Sequence, residues 1–309
     1  MPVQIHFGFQ NHRLGPVGLA IGSFDGLHLG HQAVLGRLRE RASEEGLQAT
    51  MITFDPHPRC VLDPSNCPPM ITTLEERLDL AAQLGVEHAI VLEFNRALAG
   101  LPAEEFMAQV LAAMDMRRLV AGADFALGRA RAGNVEWLRR HGVEAGYGVE
   151  VVDPVVVDGE EVHSSEVRRR LILGEVEAAN QLLGRAFTLS GLVLPGDRIG
   201  RGIGWPTVNL SVPAGKLVPA RGIYAGWAVT PEGEYMAGIS IGYRPTFTSA
   251  ELRVEAYLLD FSGDLYQRRL ELRLTNRLHD EIRFSDMAEL ADQIARDVDT
   301  TRRLLGGRR

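Results

Sequence analysis

The spacing of apolar residues changes near Gly184, and this change divides the 309-residue chain into two parts of different architecture. Before it, short apolar runs alternate with helical patterns such as 31–42 and 74–84. The apolar runs lie at 18–22, 49–54, 89–94, 118–125 and 149–157. This alternation predicts βα units that stack into a parallel sheet, and therefore an α/β domain over residues 1–184.

The rest of the chain shows shorter apolar runs separated by Gly, Pro and charged turns. These runs lie at 188–194, 207–212, 222–229, 235–242, 253–260 and 268–278. They predict a β-barrel or a β-sandwich over residues 185–309. A helical period returns near the end of the chain, where Ser285 is the expected N-cap of a closing helix.

The charge balance excludes several classes of function. The chain has 33 basic and 40 acidic residues, so neither nucleic acid nor an anionic membrane is an expected partner. No apolar run approaches the roughly 18 residues of a membrane helix, and the first residues lack a secretory pattern, which predicts a cytoplasmic protein. Lys216 is the only lysine and precedes Leu217, which rules out a phosphate loop of the GxxxxGK[ST] type. Cys60 and Cys67 match no zinc or redox spacing and are expected to be free thiols.

The first candidate site is the segment GSFDGLHLGHQAVL (22–35), which joins a predicted strand to a predicted helix. Open α/β sheets bind ligands at such junctions, and the N–H groups of a helix N-terminus attract phosphate there. His28 and His31 lie one helical turn apart and could donate hydrogen bonds to phosphate oxygens as charge builds in a transition state. Two histidines at this spacing also occur as a metal half-site or by coincidence on a surface.

This segment resembles the HxGH nucleotidyltransferases, and together with TFDPHP (53–58) and GADFALG (122–128) it is similar to their bacterial FAD synthetase branch. The resemblance implies a doubly wound α/β domain that binds ATP, transfers its adenylyl group to FMN and releases pyrophosphate. It implies catalytic roles for His28 and His31, and flavin contacts from Asp124 and Phe125. The residues that it implies in ATP and phosphate binding are Gly22, Phe24, Asp25, Gly26, Gly30 and His57. Leu27 and Ala126 stand where the family more often has Val and Arg.

A third stretch, VHSSEVRRRLILGEV (162–176), resembles the ISSTxIR motif of the same family. The resemblance implies that Ser164, Ser165 and Arg168 contact the phosphates of ATP. Hydroxyl groups at a helix start and a guanidinium group are suited to that contact. His163 departs from the family pattern, in which a serine is usual.

The second candidate site is GDRIGRGIGWPTVNL (196–210), in which glycine-rich turns precede a strand. The N–H groups of such turns can bind phosphate without a lysine, although barrels also use glycine at ordinary corners. The segment is similar to the riboflavin kinase signature GxxxGRxxGxPTAN, with Val208 in place of Ala. The resemblance implies that ATP phosphates are contacted by Gly196, Gly200 and Gly204.

The same resemblance implies the chemistry of this second site. It implies that Thr207 and Asn209 bind phosphate and Mg²⁺, and that Asn209 takes part in catalysis. Glu255, in RVEAYLLDF (253–261), matches the carboxylate that acts as general base towards the ribityl hydroxyl. Carboxamide and hydroxyl oxygens are ligands of the kind that Mg²⁺ accepts.

The order of these motifs resembles that of the bacterial bifunctional riboflavin kinase/FAD synthetase family over nearly the whole chain. The resemblance implies riboflavin, FMN, FAD and ATP as substrates and products, and Mg²⁺ as cofactor. It is also compatible with a transient homo-oligomer. Two alternatives remain open. One is another HxGH nucleotidyltransferase with an accessory barrel, which would be indifferent to flavin. The other is a flavin-binding regulator with a decayed transferase site, which His163 and Ala126 would favour.

Overall fold

The residues that the computed structural model describes are 3–9, 14–195, 205–245, 250–282 and 284–307, without the side chains of 244, 245, 250 and 251. The chain divides into two compact units, residues 1–164 and residues 165–309.

A six-stranded sheet forms the first unit, and all of its described strand pairs are parallel. The strands of this unit are β1 (Gln4–Phe7), β2 (Leu14–Ile21), β3 (Gln48–Asp55), β4 (His88–Glu93), β5 (Met114–Gly122), β6 (Ala126–Leu127), β7 (Gly133–Asn134), β8 (Gly148–Val152), β9 (Val156–Val157) and β10 (Glu160–Glu161). The order across the sheet is β1–β4–β3–β2–β5–β8, while β6 pairs with β7 and β9 with β10 as short hairpins.

Helices cover both faces of this sheet. The helices are α1 (Leu29–Glu45), α2 (Pro58–Leu62), α3 (Leu74–Gln83), α4 (Arg96–Gly100), α5 (Ala103–Ala113) and α6 (Val135–Ala145). Alternate strand residues enter two separate apolar clusters, one containing α1 and α3 and the other containing α5 and α6. This arrangement confirms the predicted doubly wound α/β fold.

The strand ends differ from the predicted apolar runs at two places that matter for the site. The run predicted over 149–157 is divided into β8 (Gly148–Val152) and β9 (Val156–Val157), because the chain leaves the sheet at Asp153. We predicted a strand over 118–125, whereas β5 runs over Met114–Gly122. The turn that follows places Asp124 and Phe125 in the loop beyond the carboxyl end of the strand. The strand begins earlier because Met114 and Met116, which are 0% and 3% exposed, belong to the apolar core.

The second unit is a closed barrel with flanking helices, which confirms the barrel alternative. Its elements are α7 (Ser164–Leu173), α8 (Val176–Leu183), β11 (Phe187–Leu194), β12 (Val208–Ser211), β13 (Gly222–Thr230), β14 (Gly233–Pro245), β15 (Ala250–Leu258), β16 (Arg269–His279) and α9 (Met287–Gly306). The strands are antiparallel and close in the order β11–β12–β15–β14–β13–β16. Helix α9 packs against β13 and β14.

The N-cap of α9 is Asp286, so the prediction of Ser285 is wrong by one position. The Asp286 side chain accepts hydrogen bonds from the backbone N–H groups of Ala288 and Glu289, both at 2.9 Å. A carboxylate beside the positive end of a helix gains both the hydrogen bonds and a favourable charge interaction.

The two cysteines form a disulfide, so the expectation of free thiols is also wrong. Helix α2 and a following 3₁₀ turn, Pro64–Asn66, bring the Cα atoms of Cys60 and Cys67 to 4.2 Å. The spacing of cysteines in a sequence identifies known metal-binding and redox motifs. The Cys60–Cys67 disulfide depends instead on how the turn between the two cysteines folds back.

Among the helices of the described residues, none is both long and apolar enough to span a bilayer.

Helices α7 and α8 belong to the same unit as the barrel, upstream of the boundary expected after Gly184. The Asn180 side chain of α8 accepts a hydrogen bond from the backbone N–H of Phe187 at 2.7 Å and donates to the carbonyl oxygen of Leu274 at 2.9 Å. These contacts join α8 to β11 and β16. Whether catalytic function divides at 184/185 stays a prediction.

A fragment of residues 165–309 should therefore be more stable than a fragment of residues 185–309, by more than about 3 kcal/mol. The shorter fragment loses the Asn180 contacts and the buried residues of α8, which are Val176, Ala179, Leu182 and Leu183. Urea unfolding followed by circular dichroism measures the difference. Equal unfolding free energies for the two fragments would show that α8 adds nothing to the barrel.

Candidate active sites

A cavity of about 1020 Å³ lies where the carboxyl ends of β2, β3, β5 and β8 meet. After β2, the chain forms β3 and then β4 on one side of β2 in the sheet. It then crosses to the other side of β2 and forms β5 and β8 there. The strand order therefore reverses between β2 and β5, and ligands of open α/β sheets bind at this point. Gly22, His57, Ala123 and Asp153, which follow the four strands, all border the cavity.

The loop between β2 and α1 has an unusual backbone. Phe24, Gly26 and Leu27 have φ values of 48°, 83° and 38°. A Cβ atom at Gly26 would lie 3.0 Å from the Ile71 side chain, so glycine is needed for space as well as for φ. For Phe24 and Leu27 such a backbone costs about 1 to 3 kcal/mol each, which burial of both side chains offsets.

Asp25 holds this loop against the start of α3. Its side chain is 0% exposed, and its carboxylate accepts hydrogen bonds from the N–H groups of Ile71 and Thr72 and from the Thr72 hydroxyl, at 2.9–3.1 Å. The Thr72 hydroxyl oxygen in turn accepts from the N–H of Gly26 at 2.9 Å. Asp25 and Gly26 thus stabilise the conformation of the loop, although neither residue borders the cavity.

His28 and His31 border the cavity at the N-terminus of α1. His28 is the N-cap, and its Nδ1 accepts from the N–H of His31 at 3.4 Å. Because Nδ1 is the acceptor, a neutral His28 ring carries its proton on Nε2, which can donate to a ligand. The two rings stack with centroids 3.7 Å apart. A Cβ atom at Gly30 would lie 3.2 Å from the His28 ring, so Gly30 allows this close approach.

Most of the predicted adenylyl-transfer residues meet at this cavity. Those that border it are Gly22, Phe24, His28, Gly30, His31, His57, Asp124, Phe125 and Ser164. Ser164 is the last residue of the first unit, and its hydroxyl donates to the carbonyl oxygen of Asp25 at 2.9 Å. Across the described part of the chain, no group of three or more His, Cys, Asp or Glu residues is placed to hold a metal ion. The metal half-site alternative for His28 and His31 therefore gains no third protein ligand there.

Ser165 and Arg168 belong to α7 of the second unit and are not among the residues that border the cavity. Their neighbours Arg169 and Arg170 both donate to Glu166 at 2.6 Å. Hydrogen bonds from Arg169 first, and then from Arg170, lower the pKa of the Glu166 carboxyl to about 2. Arg169 and Arg170 are therefore engaged within α7.

Two arginines at the cavity were missed by the sequence analysis. Arg59 and Arg131 are the only Lys or Arg residues among the described residues that border it. Arg131 donates to the carbonyl oxygen of Asp124 at 2.7 Å. Their closeness to the DPHP and GADFALG motifs was an available signal, but exposed arginines are so common that position in sequence alone does not single them out.

The second candidate site lies on the outer face of the barrel. Val254 and Ala256 of β15 are 2% and 1% exposed and face the interior, whereas the intervening Glu255 side chain is 30% exposed. Glu255 lies directly opposite Asn209 of β12 on one side and Ser240 of β14 on the other. The strand register thus places three polar residues in one row across the sheet.

Thr207 and Arg253 complete the surroundings of Glu255. The Thr207 hydroxyl donates to Glu255 Oε2 at 3.4 Å, and Arg253 Nη1 lies 3.4 Å from Oε1. Arg253 had not been predicted as a site residue. The three predicted glycines, Gly196, Gly200 and Gly204, lie outside the described residues.

Comparison with known families assigns each half of the chain. The FAD synthetase family profile matches residues 11–166, and the Riboflavin kinase profile matches residues 183–305. Two curated relatives carry the name bifunctional riboflavin kinase/FMN adenylyltransferase. The one from Pseudomonas fluorescens is 38% identical and the one from Listeria monocytogenes is 35% identical, each over 92% of this chain and 91% of its own length.

A solved structure extends the comparison to the fold. A protein from Streptococcus pneumoniae, described as a macrolide-efflux protein, has a TM-score of 0.90 and 28% identity with this chain. The alignment covers 98% of this chain and 99% of that one. Both units of this chain therefore have counterparts of the same fold in that protein.

Proposed function

The chain belongs to the family of bifunctional riboflavin kinases/FMN adenylyltransferases, and we propose that its two described sites divide the two reactions between them. The enzyme makes FMN from riboflavin and FAD from FMN, with ATP as the donor in both steps. The observation that carries the proposal is that the HxGH, DPHP and GADF motifs meet at one cavity of the first unit, whereas the Thr207–Asn209–Glu255 row belongs to the second unit.

For adenylyl transfer, we assign ATP and FMN to the cavity of the first unit. An oxygen of the FMN phosphate attacks the α-phosphorus of ATP, and the bond from that phosphorus to the bridging oxygen breaks to release pyrophosphate. His28 Nε2–H, His31 and the N–H groups at the start of α1 donate to the phosphate oxygens, on which charge develops. Asp124 and Phe125 contact the flavin. Arg59 and Arg131 add the positive charge that two phosphorylated substrates require.

For phosphoryl transfer, we assign Glu255 as the general base that accepts the proton of the riboflavin 5′-hydroxyl. Thr207 and Asn209 would hold Mg²⁺ and the ATP phosphates, and their hydroxyl and carboxamide oxygens beside a carboxylate fit this ion. When bound, Mg²⁺ neutralises charge on the transferring phosphoryl group. Gly196, Gly200 and Gly204 stay predicted phosphate contacts for the kinase reaction. Ser165 and Arg168 stay predicted phosphate contacts for adenylyl transfer. A cytoplasmic location stays a prediction.

The products identify the function directly. Purified protein incubated with riboflavin, ATP and MgCl₂ should yield both FMN and FAD, separated by reversed-phase chromatography with fluorescence detection. Flavin binding without product would favour the regulator alternative, and pyrophosphate release that is indifferent to flavin would favour another nucleotidyltransferase.

Replacing His28 with Ala should lower the rate of FAD formation from FMN by about 10² to 10³, the usual effect of losing one preorganised transition-state donor. The FMN-forming rate of the same sample provides the control and should stay at the parental value. FAD formation at the parental rate would remove His28 from the catalytic site.

Substitutions in β12 and β15 test the kinase site. Asn209→Ala removes a proposed ligand of Mg²⁺ and phosphate, and Glu255→Gln removes the base but keeps its shape, so both should suppress FMN formation. Both variants should still convert supplied FMN to FAD. The matched control is Val208→Ala, because Val208 pairs with the inward-facing Ala256 and its loss should cost at most about 1 to 3 kcal/mol of stability. If all three variants form FMN equally fast, the assignment of this strand pair is wrong.

A further inference from the structure

Arg77 is a charged side chain in the apolar core of the first unit. On α3 it shares one face with Leu74, Leu78 and Ala81, the positions that a helix normally fills with apolar residues. It is 2% exposed. The helical pattern places Arg77 at a core position, and the sequence by itself assigns it no role.

The guanidinium of Arg77 joins two strand ends that border the cavity. Its Nη1 donates to the Thr53 hydroxyl oxygen and to the carbonyl oxygen of Phe54, both at 3.0 Å. The Thr53 hydroxyl in turn donates to the carbonyl oxygen of Ser23 at 3.1 Å. Because Ser23 follows β2 and Phe54 lies at the end of β3, Arg77 links the loop that leads to His28 with the strand end that leads to His57.

The opposite side of this link is also fixed. Asp25, in the loop that leads to His28, binds Ile71 and Thr72 immediately before α3, and the Thr73–Glu76 capping box defines the start of α3. The segment 71–77, which enters α3, therefore contacts the loop that leads to His28 through Asp25 and the two strand ends through Arg77. Among the described residues, the Arg77 side chain donates hydrogen bonds only to the Thr53 hydroxyl and the Phe54 carbonyl oxygen.

Packing does not account for an arginine at this position. Burial lowers the pKa of the Arg77 guanidinium, and the carboxylates of Asp25 and Asp55 oppose that shift only in part. Among the described residues, Nε of Arg77 has no hydrogen-bond partner. A leucine at this position would avoid the desolvation of a charge, so a buried arginine is weak evidence for stability by itself.

We propose that Arg77 is a positioning residue for adenylyl transfer, which holds the carboxyl ends of β2 and β3 in the register that brings His28 and His57 to the same cavity. The inference rests on the proposed function of that cavity. Arg77 does not border the cavity and acts through Thr53, Ser23 and Phe54.

The test compares Arg77→Met, Arg77→Lys and Thr53→Val in the full-length chain. A displacement of catalytic groups by about 1 Å can cost 10²-fold in rate, so Arg77→Met should lower kcat for FAD formation by about 10- to 100-fold. KM for ATP and FMN should change by less than about threefold, because the groups that contact the ground state remain. Arg77→Lys retains a donor and should restore most of kcat.

Thr53→Val removes only the hydroxyl that connects Arg77 to Ser23, so it should lower kcat in the same direction by a smaller factor. In the double variant it should add nothing to the effect of Arg77→Met, because both substitutions break the same connection. The matched control is Arg140→Met, since Arg140 is exposed on α6. It should leave kcat unchanged, and FMN formation should be unchanged in every variant.

A purely structural role predicts a different result. Arg77→Met and Thr53→Val would then lower the unfolding midpoint while kcat per folded molecule stayed at the parental value, and this would overturn the inference. If Arg77→Met does not fold, the kcat of Thr53→Val decides the question alone. A parental protein that makes no FAD would instead overturn the proposed function, and the inference with it.

Discussion

The parallel alignment of β2 between β3 and β5 is the constraint on which the first site depends. Because these strands run in the same direction, their carboxyl ends open at one edge of the sheet. Gly22, His57 and Asp124 are far apart in sequence and nevertheless border one cavity there. The helices that cover both faces bury the sheet itself, so this edge is where the loops that follow the strands can bind a ligand.

The loop after β2 keeps its conformation through buried polar contacts. Its left-handed residues would be unfavourable in isolation, and Asp25 and Thr72 hold them by hydrogen bonds that are shielded from water. This hydrogen-bond network stabilises the loop by more than the sum of its individual bonds, because removing one partner leaves the buried polar groups of the others unsatisfied. The catalytic histidines of the proposed mechanism are therefore carried on a backbone that the rest of the unit determines.

In the barrel, side chains that form the core alternate along a strand with side chains of the proposed kinase site. Val254 and Ala256 face the interior, while Glu255 between them faces outward to Asn209 and Ser240. A one-residue slip of β15 against β12 would exchange the two faces and remove the carboxylate from its partners. The same register that closes the barrel thus places the proposed general base.

The sequence by itself determined the fold class of each half and the motifs of both sites, because βα alternation and the spacing of His28, His31, Thr207 and Asn209 are local properties of the chain. It did not reveal the disulfide, the N-cap at Asp286 or the role of Asp25, since each depends on how distant or turned-back segments meet. Arg77 shows the limit most clearly. Its position in the helical pattern of α3 is one that apolar core residues normally occupy. Only the tertiary structure shows that its guanidinium binds groups at the ends of two strands. A buried charge is stabilised by hydrogen-bond partners, and the periodicity of the sequence does not specify them.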